Sequence, residues 1–124
     1  MSKLAGPQPV RAKVLIIDGS AVACEGLALM LSRQPDLVVC GVTGDASAAV
    51  RLVAVEPPDV VVIDPAMVPT GDRLIEYLRT AHPATLILAW SVSPLQRMHA
   101  DTFVLKELAP KEMLPTIRRL LNGG

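Results

Sequence analysis

Short apolar runs rich in β-branched residues alternate along this chain with longer segments whose apolar positions recur at helical spacing. The first run, residues 13–17, reads as a strand ending at Asp18. Ser20 then stands where a helix over 21–33 needs its cap, and Leu27, Met30 and Leu31 fall on one face of it. Pro35 ends that helix, because the residue before a proline avoids the α region. A second strand is predicted over 37–41, and a second helix over 46–55, capped by Asp45 and closed by Pro57 and Pro58. Residues 60–63 (Val-Val-Val-Ile) carry no polar position, which is what a central parallel strand buried on both faces requires. A loop from Pro65 to Gly71 leads to a helix over about 72–80. Further strands follow at 86–90 and 103–105, and a last helix at about 111–121.

Strands alternating with helices in this way argue for a parallel sheet covered on both faces. Two places strain the pattern. Only residues 91–102 connect the fourth and fifth strands, so at most two helical turns fit there, around 95–100. Pro115 is compatible with the last helix only if that helix begins late enough to put it in the first turn.

With 124 residues, of which 51% are hydrophobic, the chain fits one domain with a sizeable core. Its 12 basic residues balance 12 acidic ones, so the concentrated positive charge of a nucleic-acid binder is absent. No apolar run reaches the length of a membrane span. Residues 1–10 lack the apolar core of a signal peptide and read as a disordered leader, while 122–124 read as a flexible tail or the start of a linker. Cys24 and Cys40 sit in apolar stretches as small buried hydrophobes. With His82 and His99 far apart in turns, no zinc site is expected, and the cytoplasm is the default location.

Ligands of an open α/β sheet bind at the carboxyl ends of its strands. The residues at those ends are Asp18, Asp64, Ser91 and Lys106. Two carboxylates, a hydroxyl and an ammonium on one rim suit phosphoryl transfer to a carboxylate: one aspartate is the nucleophile, and cationic or donor groups take the phosphoryl oxygens. Each residue also has a plainer reading. Asp64 could cap a turn, Lys106 could be a solvated strand end, and Ser93 competes with Ser91 as the loop hydroxyl. Asp18 could serve by pairing with Lys106 or by accepting hydrogen bonds from the loop after the third strand. Trp90 and Tyr77 read as packing residues, and Arg118 and Arg119 as a solvated helix face.

The segments Ile16-Ile17-Asp18, 58–64 with Met67 and Pro69 following, Ser91, and 100–106 resemble, in that order, the response-regulator receiver family of two-component signalling. The similarity extends over residues 11–121 and is nearest to receivers that precede a LuxR-type helix-turn-helix. It implies a flavodoxin-like, doubly wound five-stranded parallel sheet of order 2-1-3-4-5, here with the fourth helix shortened or missing. It further implies Asp64 as phosphoacceptor, Ser91 and Phe103 as switch residues, and Lys106 as the phosphate-contacting lysine. A weak Mg²⁺ site would be formed by Asp18, Asp64 and the Ala66 backbone carbonyl. The implied partners are a histidine kinase, a second copy of the chain, and DNA only through an output domain outside this chain. No catalytic residue beyond phosphoryl acceptance follows, and no membrane role.

The chain also departs from the family pattern. Gly19 stands where the second acid of the metal site is usual, Pro65 follows Asp64 directly, and Val68 separates Met67 from Pro69. These departures keep a second reading open, a phosphorylation-independent pseudo-receiver acting as a constitutive binding or dimerisation module. Gly19→Asp separates the two: it is expected to raise Mg²⁺ affinity if the rest of the site is intact, and an affinity that stays unmeasurable favours the pseudo-receiver. A small α/β phosphatase-like enzyme is the minor alternative, and it finds no GxxxxGK[ST], GxSxG or GxGxxG here.

Overall fold

In a computed structural model, residues 10–94 and 99–123 are described. The strands are β1 (Ala12–Ile17), β2 (Leu37–Thr43), β3 (Val60–Ile63), β4 (Leu86–Ser91) and β5 (Thr102–Leu105). The helices among the described residues are α1 (Ala21–Ser32), α2 (Ala46–Val55), α3 (Gly71–Ala81) and α4 (Ala109–Leu121), with a 3-10 turn at Lys106–Leu108 before α4. All pairings are parallel and the strand order is β2-β1-β3-β4-β5. This is the doubly wound sheet the sequence predicts, with its switch point between β1 and β3, where ligand crevices form.

Strand periodicity divides the core in two. Val14, Ile16, Val60, Val62, Leu88, Trp90 and Val104 face one side, against Leu27 and Leu31 of α1 and Met113 and Ile117 of α4. Leu15, Ile17, Val61, Ile63 and Ile87 face the other, against Ala49 and Val53 of α2 and Leu74, Ile75 and Leu78 of α3. Every residue of β3 is fully buried, which explains its lack of a polar position. Both predicted caps form: Ser20 Oγ accepts from the Ala23 amide at 3.3 Å and Asp45 Oδ2 from the Ala48 amide at 3.1 Å.

β2 runs two residues beyond the predicted end, because Val42 and Thr43 continue the ladder opposite Ile16 and Ile17. The last helix starts at Ala109 rather than late, with Pro110 in its first turn, and Pro115 therefore lies in its interior. Burial of Ala109, Met113, Thr116 and Ile117 outweighs the amide hydrogen bond that Pro115 cannot make to Lys111, and Pro115 itself faces solvent. The short helix expected around 95–100 and the leader over 1–10 fall largely on residues 95–98 and 1–9, outside the described residues.

Because Pro115 breaks the hydrogen-bond ladder of an exposed helical turn, Pro115→Ala is expected to raise the unfolding free energy by roughly 1–3 kcal/mol. Urea denaturation checks this, and unchanged or lower stability would show that the proline is accommodated without cost.

Candidate functional site

β1 and β3 lie side by side, so the residues that follow them, Asp18 and Asp64, meet at the carboxyl edge. The Asp64 amide bonds to the Ile17 carbonyl at 3.1 Å, extending the ladder one step and fixing both backbones. Each carboxylate is then oriented by the turn that leaves its strand. Asp18 Oδ1 accepts from the Ser20 amide at 2.8 Å, and Asp64 Oδ1 from the Ala66 amide at 2.9 Å. That leaves one oxygen on each. Lys106, the first residue after β5, places its Nζ 2.7 Å from Asp18 Oδ2 and 2.7 Å from Asp64 Oδ2.

Both aspartates are almost wholly buried, and the Lys106 side chain is only 14% exposed. At such depth an unpaired carboxylate is costly, and the shared ammonium offsets that cost for two of them. Burial pulls the Lys106 ammonium down, but the hydrogen bonds and charges of Asp18 and Asp64 outweigh it and hold the group above the ordinary lysine value. The Trp90 ring lies under the ammonium, 4.9 Å from Nζ, adding a cation–π contact. Cys24 donates its thiol to the Asp18 carbonyl at 3.3 Å, and burial together with Asp18 pushes that thiol up, away from nucleophilic character. Cys40 is likewise a free thiol.

Of the rim residues predicted from sequence, Asp18, Asp64 and Lys106 come together directly. Ser91 ends β4 with its Oγ buried and without a hydrogen-bond partner among the described residues, so a hydroxyl is left for a ligand oxygen. Phe103 is half-buried on β5, in register with Ala89. Ala66 reaches Asp64 through its amide. The Asp18–Lys106 pairing, one of the plainer readings of Asp18, is present.

Other features were not visible in the sequence. The Met67 carbonyl accepts from the Gly19 amide at 2.9 Å. Arg79 binds Asp101 at 3.0 Å and the His99 carbonyl at 2.7 and 2.9 Å, while Asp101 also accepts from the Ile87 amide at 2.7 Å. Arg118, expected to be merely solvated, grips both oxygens of Asp36 at 3.0 Å and Gln34 at 2.7 Å, tying α4 to the α1–β2 turn. Its partners are more than eighty residues away along the chain, and no local signal marks them.

No protein-family model matches the chain. The transcriptional regulatory protein LiaR of Bacillus subtilis (strain 168) is 42% identical over 121 residues, covering 90% of this chain and 56% of LiaR. A protein-glutamate methylesterase/protein-glutamine glutaminase of Anaeromyxobacter dehalogenans (strain 2CP-C) is 36% identical over 88 residues, 69% of this chain and 24% of that protein. The chain thus spans between about a quarter and a little over half of these relatives' lengths. Among solved structures, a LuxR-family two-component response regulator from Aurantimonas sp. SI85-9A1 superposes with a TM-score of 0.82 at 26% identity, covering 91% of this chain and 86% of that one. Sheet order, rim residues and these likenesses identify the chain as a receiver domain of the response-regulator class. Among the described residues, no helix is long and apolar enough to cross a membrane.

Replacing the shared counter-ion should be costly. Lys106→Met is expected to lower the unfolding free energy at neutral pH by on the order of 3 kcal/mol. The raised folded-state value fixes the pH window: the wild-type advantage is fully present below the unfolded lysine value of about 10.4 and is lost as pH rises through the higher folded value. Chemical denaturation of both proteins from pH 7 to pH 11 checks this, and a gap that stays constant across the range would contradict it.

Proposed function

We propose that this domain signals by protein–protein contact and that Asp64 accepts a phosphoryl group from a histidine kinase or a small phosphodonor. The observation that carries the reading is the buried Asp64 carboxylate held at 2.7 Å by Lys106 at the β1–β3 switch point. In the transfer, an Asp64 carboxylate oxygen forms a bond to phosphorus as the bond from phosphorus to the donor atom breaks, and the leaving group keeps that electron pair. Lys106 follows the charge from carboxylate to phosphoryl oxygen, and the unpartnered Ser91 hydroxyl donates to another.

The donor set fits a weakly held Mg²⁺. Asp18 and Asp64 bring two negative charges against one ammonium, and Mg²⁺ is commonly held by one or two carboxylates, water and phosphate oxygens. Asp18, Asp64 and the Ala66 carbonyl are the groups that would hold it, and Gly19 contributes no ligand. When bound, the ion supplies neutralisation of the charge on the transferred group. Residues 11–121 make up the domain, which works in the cytoplasm and pairs with a second copy; contact with DNA would come only through an output domain outside this chain.

Incubation with acetyl phosphate and Mg²⁺, followed by intact mass measurement, is expected to give a single phosphoryl adduct that Asp64→Asn abolishes. An equal adduct on Asp64→Asn, or none on the wild type, would overturn the reading.

A further inference from the structure

The missing acid at position 19 has a structural counterpart across the site. A Cβ built on Gly19 would lie 2.2 Å from the Met67 carbonyl oxygen, a distance no real side chain tolerates, and the atom in the way is backbone. That same carbonyl accepts the Gly19 amide at 2.9 Å. On its other side, the Gly19 Cα would sit 3.0 Å from a Cβ at Gly44, so the turn is hemmed from two directions.

The loop that delivers Met67 is determined at every step. The Met67 amide bonds to the Asp64 carbonyl at 3.1 Å, Val68 is 3% exposed in the α2–α3 side of the core, and the Gly71 amide bonds to the Val68 carbonyl at 3.0 Å. Gly71 is a second seat, where a Cβ would lie 2.5 Å from the Pro65 carbonyl oxygen. Between these anchors Thr70 is held at φ 58°, ψ 32°, in the left-handed region that a β-branched residue adopts only when its surroundings compel it.

The geometry points to Gly19 as the seat of a latch: the loop after Asp64 closes onto the backbone of the turn after Asp18, and this closure excludes any side chain at position 19. Gly19 is therefore a positioning residue rather than only a vanished ligand. With the latch closed, Gly19→Asp gives no gain in Mg²⁺ affinity, since the new acid has no room until residues 65–70 move away. The latch also joins the α1 entrance to the loop entering α3, so a disturbance at either acid is felt at both. This inference goes beyond phosphoryl acceptance, and the stability and exchange tests of it use metal-free protein, so failure of one claim leaves the other standing.

Three measurements test the latch. In the wild type, the Gly19 amide is expected to exchange with solvent at least about 100-fold more slowly than an unprotected amide. Faster exchange would overturn the latch, whatever the variants do. Gly19→Ala, which adds no charge, is expected to lower the melting temperature by about 5 °C or more, and melting at the wild-type temperature would count against it. In Gly19→Asp, a Mg²⁺ titration followed by the fluorescence of Trp90 is expected to show no gain in affinity over the wild type. A gain would mean that the acid finds room without displacing the loop.

Discussion

The structure turns on one ammonium between two buried carboxylates. β1 and β3 must be neighbours for the sheet to be wound in both directions, and their ends deliver Asp18 and Asp64 to the same spot whether or not any chemistry occurs there. Left alone, two such groups would repel and resist burial. Lys106 resolves the conflict from just beyond β5, two strands from β3 and three from β1, and so links the order of the sheet to its carboxyl edge. Trp90 of β4, the strand between, lies beneath the same ammonium. A change of charge on Asp64 acts directly on Lys106, which begins the 3-10 turn that leads into α4.

Glycine at position 19 changes how the rest of the edge is held. Where a second acid would present another negative charge beside the pair, this chain brings up a backbone carbonyl and fills the space. The closed loop keeps Thr70 strained and Val68 buried. A cation that approached both carboxylates would compete with Lys106 for the same oxygens.

Much of this was legible in the sequence, for definite physical reasons. Residues 60–63 announce a doubly buried central strand because no polar side chain survives on either face of one. Ser20 and Asp45 announce helix starts because their side chains satisfy amides that nothing else can reach. Asp18, Asp64 and Lys106 could be placed on one rim because strand ends in a parallel sheet share an edge. Pro115 misled, because its local cost was weighed without the burial of Met113 and Ile117 that overrides it. The Gly19–Met67 contact and the grip of Arg118 on Asp36 were invisible, because each depends on the distance between segments far apart in sequence. Gly19 read as an absence, and only the position of the Met67 carbonyl shows what occupies the space.

The central claim is that Lys106 and Asp64 act as one unit, and a double-mutant cycle over Lys106→Met and Asp64→Asn measures that directly. If the ammonium is the counter-ion of Asp64, each single change should cost more than it does in the presence of the other, with a coupling free energy above about 1 kcal/mol. Additive costs, with coupling below about 0.5 kcal/mol, would mean that the two side chains are neighbours without being partners.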